Sequence, residues 1–295
     1  MRTLDNIVIY DNYERIDSGD VSTVRTIASK TMNTWQSDRD EKEKLKNTLQ
    51  GKKAEAVIKN HIISKTSYSY LSYDDFRDNQ YEKHAPFDGL LFNKNTSSKT
   101  INPVIAMIRF EVSKNNYGLI TPEARSIARK CGLYVVEVKS TRVSEKKRKV
   151  AEKVRGKGNV ESRLIEEIKN DDYLTYPHAI RHSNIRNSIE YLSYLRNKGL
   201  IKSSKCDRDA YNEMKAYEIP HMSDLYFRVY LDTISRIAYI IGFITRHDFF
   251  SIYPPLIKKM VFPGKSEGAI YLALPIRKGR SISDLYSTLT SYSEH

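Results

Sequence analysis

The spacing of hydrophobic positions changes several times along the chain, and each change marks an element. From Asp40 to Ile63, Leu45, Leu49, Ile58 and Ile62 recur at near-helical spacing, interrupted by Gly51, and predict a helix. Ser67–Tyr73 alternates as a strand does. Phe87–Phe92, a polar Asn-Thr-Ser-Ser linker and the run Val104–Val112 read together as a β-hairpin with a long loop. Thr121-Pro122-Glu123 sets a threonine cap and a first-turn proline for a short helix that Gly132 ends. Leu133–Lys139 is a strongly apolar strand. Helical patterns dominate from Ser144 to Tyr217, including Ile185, Ile189, Leu192 and Leu195 closed by Gly199. Leu225–Leu231 and Ile237–Thr245 read as strands joined by a tight turn around Asp232–Arg236. A helix from near Arg246, a strand at Ala269–Leu274 and a closing helix from Ser283 complete the reading. Residues 1–40 look irregular, with one apolar run at Ile7–Tyr10.

Strands at both ends with helices between predict an α/β fold: a central mixed β-sheet flanked by helices, carrying a helical insertion. Neither half of the sheet could bury both its faces alone, so the halves are expected to form one core. The segments are then an N-terminal extension (1–40), the first part of the core (41–143), a helical insertion (144–220) and the second part of the core (221–295).

Charge adds a partner to this picture. Lysine and arginine number 49 against 36 aspartates and glutamates, a net +13 over 295 residues. That excess favours polyanions, because neutralised phosphates release condensed counterions. Arg142, Lys146, Lys147, Arg148, Lys149, Lys153, Arg155 and Lys157 crowd the segment that follows the apolar strand. Two distant cysteines, Cys131 and Cys206, fit a reducing compartment and exclude a disulfide scaffold or a four-cysteine zinc ribbon. No apolar run follows the opening Met-Arg, and Ile237–Phe243 is too short to span a bilayer, so a cytoplasmic chain without a membrane partner is expected.

The chemistry concentrates in Val136-Glu137-Val138-Lys139-Ser140. Side chains alternate along a strand, so Glu137 and Lys139 share one face and the valines the other. Opposite charges on a central strand are costly unless they pair or hold an ion. The bland account is a simple Glu–Lys pair at a strand end. Two further acids weigh against it: Asp88 in Ala85-Pro86-Phe87-Asp88-Gly89-Leu90-Leu91, at the entrance of another apolar strand, and Glu55, which shares the inward helix face with Ile58 and Ile62. Glu55 also reads blandly, as an i,i+4 pair with Lys59. Glu111 in Arg109-Phe110-Glu111-Val112 is a competing acid, but on a strand Lys114 would face the opposite side.

These residues resemble the PD-(D/E)xK nuclease superfamily, the restriction-endonuclease-like fold. Pro86-Phe87-Asp88 resembles the aspartate motif with one residue inserted after the proline, Glu137-Val138-Lys139 matches the second motif, and Glu55 sits where the helix acid would fall. The strand from Asp224 and the segment Ile241–Thr245 are similar to the outer strands of such cores. Asp88 and Glu137 are further apart in sequence than in compact members, which implies an extra strand and helix between them.

The resemblance implies a Mg²⁺-dependent DNA endonuclease in which Asp88, Glu137 and the Val138 carbonyl hold the metal. Lys139 would orient or deprotonate the attacking water, and Glu55 would complete a second metal's shell. Ser140 and Thr141 are candidate phosphate contacts, and Arg142, Lys146, Lys147, Arg148, Arg181 and Arg186 candidate DNA contacts within or beside the helical insertion. Double-stranded DNA and a homodimer follow from cutting two strands with one site each. A transposon-end or resolvase-type nuclease on the same core, and a non-cleaving DNA-binding protein, are the rivals. Pro263-Gly264-Lys265-Ser266 lacks the earlier glycine of a P-loop, position 259 being Lys259. His178 and His182 lie at helix spacing, but Ala179 replaces the glutamate of a zinc-protease motif.

Overall fold

The computed structural model describes residues 1–16, 21–30, 41–78, 81–115, 117–153, 159–261 and 268–292. The Pro263–Ser266 motif and the basic residues Arg155 and Lys157 lie outside them. In chain order the regular elements are β1 (Arg2–Leu4), β2 (Ile7–Tyr10), α1 (Val21–Lys30), α2 (Glu41–Lys65), β3 (Tyr68–Ser72), β4 (Gly89–Asn93), α3 (Ser98–Ser113), α4 (Pro122–Lys130) and β5 (Tyr134–Arg142). They continue with α5 (Glu145–Lys153), α6 (Val160–Ile168), β6 (Asp172–Thr175), β7 (His182–Ser183), α7 (Ser188–Asn197) and α8 (Arg208–Glu218). The last are β8 (Leu225–Asp232), β9 (Ile237–Thr245), β10 (Leu256–Val261), β11 (Gly268–Pro275) and α9 (Leu285–Tyr292).

The expected α/β architecture is present as a mixed seven-stranded sheet, ordered β1-β2-β9-β8-β5-β4-β3 and flanked by helices. Its pairs are antiparallel except β5 with β8, which run parallel from Val136↔Leu225 to Arg142↔Leu231. The strands of the first and last thirds thus form one sheet. All eight residues of β8 are buried, as its central place requires. A second sheet, β10-β11-β6 with β7 also on β11, shares an apolar cluster with Ile7, Ile9, Tyr226 and Tyr230 on the face of the first sheet opposite α2.

Three apolar clusters cover the sheets. On one face of the large sheet, Ala54, Val57, Ile58 and Ile62 of α2 meet Val136 and Val138 of β5 and Phe227 of β8. On the other face, Ala124 and Ala128 of α4 meet Leu133 and Val135, with Val104, Ile108 and Val112 of α3 in the same cluster. The third joins Tyr226, Tyr230 and Tyr239 to helices α5–α8 and the second sheet. These alternating assignments put the even-numbered β5 residues under α2, and Glu137 and Lys139 on the opposite face.

Several sequence expectations need correction. Val104–Val112 is not a hairpin strand but the C-terminal part of α3, whose buried Val104, Ile108 and Val112 recur every four residues. Glu111 and Lys114 are therefore an i,i+3 ion pair at 2.8 Å near that helix's end. The first 40 residues are not irregular where described: β1 and β2 extend the sheet, with all four residues of β2 buried. Among the described residues of 144–220 stand helices α5–α8 but also β6 and β7, which pair with β11. No helix begins at Arg246; a single turn at Asp248–Phe250 precedes β10. Arg181 and Arg186 precede α7, which starts only at Ser188 behind its Asn187 cap. His178 lies in a loop and His182 in β7, so they do not share a helix face.

Gly242 is fixed by the fold. The register slips between Arg228↔Gly242 and Val229↔Ile240, leaving Ile241 as the extra residue of a β-bulge. Gly242 has φ +128°, and a Cβ there would stand 2.1 Å from the Arg280 carbonyl oxygen. The Phe243 amide donates to that same oxygen at 3.0 Å. Gly242→Ala is expected to destabilise the protein by about 1–3 kcal/mol, read as a lower urea midpoint at constant m-value. An unchanged midpoint would contradict this geometry.

Candidate active site

The site forms where β4 parts from β5. The two strands pair from Leu91↔Tyr134 to Gly89↔Val136, and the Asp88 amide still donates to the Val136 carbonyl at 3.0 Å. Beyond that point β4 turns away while β5 continues to Arg142. The Val138 amide, which a longer β4 would have bonded, donates instead to Asp88 Oδ2 at 2.6 Å. Amide and carbonyl of one strand residue point to the same edge, so the Val138 carbonyl also faces this notch. Lys139 Nζ meets Glu137 Oε1 at 2.5 Å on the face opposite α2. Asp88, Glu137, Val138 and Lys139 are therefore brought together.

Glu55 reaches the notch from the other side. It is buried at 6% exposure on the sheet-facing side of α2, as the spacing predicts. Its partner is not Lys59, which pairs with Asp75 at 2.7 Å. Glu55 Oε2 accepts from Lys52 at 2.7 Å and Oε1 accepts from the Ser72 hydroxyl. Lys52 also meets Asp74 at 2.5 Å. These contacts engage both oxygens of Glu55, and a cavity of about 560 Å³ beside α1 and α2 borders Glu55 but not Asp88, Glu137 or Lys139.

Electrostatics distinguish the members. Burial, then the Glu137 and Glu55 carboxylates, raise the Asp88 pKa to about 8, against the pull of Lys139 and the Val138 amide. Burial disfavours the charged form of Lys139, but the Glu137 and Asp88 carboxylates outweigh it and its pKa is raised. Lys139 is thus a held cation, better suited to donating hydrogen bonds than to removing a proton. Tyr70 lies beneath: its ring fills the space where a Cβ on Gly89 would be, 2.4 Å from Cζ. Its hydroxyl is buried with no hydrogen-bond partner among the described residues. Burial, then Glu55, Asp88 and Glu137, hold that phenol well above its ordinary pKa.

Among the described residues no group of three or more His, Cys, Asp or Glu side chains is placed to hold a metal ion. That excludes a zinc-type donor set there but not a hard octahedral ion, which takes one or two carboxylates and keeps several waters. Asp88, Glu137 and the Val138 carbonyl fit this smaller set.

The candidate DNA contacts divide. Ser140 Oγ accepts from Gln50 Nε2 at 3.1 Å, and Arg142 Nη2 donates to the Lys46 carbonyl at 3.1 Å, so both tie β5 to α2. Thr141 shares the Lys139 face and is partly exposed. Lys147 donates to Asp171 at 2.9 Å, and Arg148 is bound to Asp232, so these two hold α5 to the core. Lys146 and Arg186 are exposed, and Arg181 stacks over Tyr176 at 5.6 Å. Tyr176 accepts from the hydroxyl of Tyr271, which contributes to the field at Lys139. Gln50, Tyr70 and Asp74 went unread in the sequence, since no motif spacing links them to the acids; Lys52, three residues before Glu55 on α2, was passed over in favour of Lys59. Pairing β3 with β4 would have placed Tyr70 near Gly89.

Comparison with protein-family models, with curated proteins and with solved structures returned no match. No helix among the described residues is long and apolar enough to cross a membrane.

The Asp88 shift has a definite pH sign. Its folded pKa lies above the unfolded value of 3.8, so the folded state binds the extra proton and this group's contribution to stability falls as pH rises from about 4 to about 8. Without divalent cations, Asp88→Asn should raise Tm relative to the parent above pH 8 and lose that advantage near pH 4. A Tm difference independent of pH in thermal melts would refute the assignment.

Proposed function

We propose that this chain is a Mg²⁺-dependent DNA endonuclease on a restriction-endonuclease-like core. The observation that carries the reading is the Asp88–Glu137–Lys139 convergence at the end of the β4–β5 pairing, with Asp88 held in the strand rung by the Val138 amide. Two carboxylates and a carbonyl at one open strand edge, with a cation beside them, form a setting for a phosphodiester. The net charge of +13 favours a polyanionic substrate. A homodimer on double-stranded DNA belongs to the same proposal, since one site serves one strand.

Asp88, Glu137 and the Val138 carbonyl would hold the ion. When bound, Mg²⁺ supplies Lewis-acid polarisation of the phosphoryl oxygens and a more acidic water. Lys139 keeps its proton in the field of Glu137 and Asp88, so it donates to a phosphate oxygen and offsets developing charge. Glu137 fixes that ammonium through the 2.5 Å contact. Asp88 must release its proton to accept a cation, which makes metal binding tighter as pH rises toward 8. Glu55 adds to the field on Asp88 from across the sheet while its oxygens stay with Lys52 and Ser72.

Plasmid cleavage with Mg²⁺ tests this directly. Discrete products should appear with Mg²⁺, vanish in EDTA, and fall by at least about 100-fold in Asp88→Ala and Lys139→Ala. Cutting that survives both substitutions would show that the site lies elsewhere. Intact plasmid in every lane, with gel-shift binding retained, would make the chain a DNA-binding protein. Glu55→Gln separates field from ligand: cutting is expected to stay within about tenfold of the parent while Tm falls. A loss as deep as that of Asp88→Ala would make Glu55 a metal ligand.

A further inference from the structure

Ion pairs redistribute the net charge of +13 over the surface. In α5, Lys147 meets Asp171, Arg148 meets Asp232 and Lys149 meets Glu145, so much of that basic block is paired within the chain. The segment 198–208 between α7 and α8 differs. Its four cations, Lys198, Lys202, Lys205 and Arg208, are all exposed, and none forms an ion pair with a carboxylate among the described residues.

The nearby acids are turned to the backbone instead. Glu213 Oε2 accepts from the Lys202 and Ser203 amides at 2.5 and 3.2 Å, and Oε1 accepts from the Ser203 hydroxyl at 2.5 Å. The Lys202 charge acts on Glu213 at longer range. Asp207 caps α8 by accepting from the Ala210 amide at 3.2 Å. Arg196 donates to the Ser203 carbonyl at 2.7 Å and to the Lys205 carbonyl at 3.2 Å. The backbone of the segment is therefore pinned to both helices while its charged ends reach water. Asp209, exposed on the first turn of α8, is an acid that opposes them.

Tyr253 extends this surface. It is 56% exposed, yet its ring is held edge-on against Tyr211 at 5.3 Å, with the Arg208 guanidinium 5.9 Å from its centroid. A fixed tyrosine hydroxyl among exposed cations is a common kind of contact to a nucleic-acid backbone. Helix α8 links the surface to the cleft: at its other end Glu218 accepts from the His178 amide at 2.7 Å, three residues before Arg181. Arg208 and Glu218 are the two ends of α8, about 15 Å apart along its axis. That length is about four base-pair steps of a duplex.

We propose that the segment 198–208, with Tyr253, is a second docking surface for the phosphate backbone of duplex DNA, placed on the flank of the cut rather than at it. The inference rests on the nuclease reading for the choice of DNA as the polyanion. Four cations without carboxylate partners match a row of phosphates, because each phosphate they neutralise releases counterions at no loss of an internal ion pair.

The test reads binding. The full chain is titrated with a fluorescent duplex in EDTA over a salt series. Replacing Lys198, Lys202, Lys205 and Arg208 together by glutamine should lower the slope of log K against log salt by about three to four. Lys202→Gln or Lys205→Gln alone should lower it by about one. Asp209→Asn should tighten binding about twofold, and Tyr253→Phe should weaken it about threefold with the slope unchanged. These side chains are exposed, so the parent's Tm is expected throughout; if the fourfold variant does not fold, the single variants carry the result. A photo-crosslinker on Cys206, the exposed cysteine of the segment, should join the duplex at least about three base pairs from the cut. An unchanged slope in the glutamine variants overturns the proposal, and so does a parent that binds no duplex. Crosslinks at the cut itself, or an RNA duplex bound more tightly than DNA through the same cations, also overturn it. Cutting lost in Asp88→Ala with an unchanged slope in the glutamine variants would refute this surface alone and leave the nuclease reading standing. A lowered slope with no cutting under any condition would refute the nuclease reading and leave the surface as a DNA-binding one.

Discussion

One substitution of partners governs the site: the Asp88 carboxylate takes the Val138 amide in place of a backbone carbonyl. A sheet can end a ladder there only if the freed amide finds another acceptor, because an unpaired buried amide is costly. Supplying that acceptor from a side chain lets β4 leave while β5 continues, and it places an anion at the edge it opens. Burial, and then the neighbouring Glu137 and Glu55, make the carboxylate reluctant to ionise. The local need of the ladder and the raised pKa of the carboxylate are two aspects of one contact.

The charges around this notch are divided by the sheet itself. Even-numbered positions of β5 meet α2, so Gln50, Glu55 and Lys52 belong to one side. Odd-numbered positions meet α4, so Glu137, Lys139, Arg125 and Arg129 belong to the other. Asp88, at the strand end, is coupled to both. Arg129 and Arg125 differ by one helical turn and yet meet opposite fates: one has a buried carboxylate, the other a single long contact to a carbonyl.

Alternation made the central strand readable from sequence. Glu137 and Lys139 do share a face, and Leu225–Leu231 and Ile237–Thr245 are neighbouring strands. The helix over 41–65 was legible because its apolar spacing recurs on both sides of Gly51. Failures came where an apolar run is short. Val104–Val112 carries valines and isoleucines at a density that suits a strand as well as a helix, and its four-residue burial repeat emerges only against Leu133 and Val135. β2, β6 and β7 have four residues or fewer, and they are strands because β9 and β11 offer edges, which no local pattern announces. The acids of the site were visible as types. Ser72 and Tyr70 were not linked to them, since the β3–β4 pairing delivers both, whereas Lys52 stands only three residues before Glu55 on α2.

The parallel pairing of β5 with β8 also orders events during synthesis. Asp88, Glu137, Lys139 and Glu55 are all made by residue 142, yet the strand that completes β5 begins only at Leu225. Until the β8–β9 hairpin emerges, β2 and β5 each lack their neighbour on that side. The hairpin then enters between them and turns two separate ribbons into one sheet. In chain order the acidic residues thus precede the hairpin that joins the two ribbons, and any half-sheet formed before it would carry them beside an open edge.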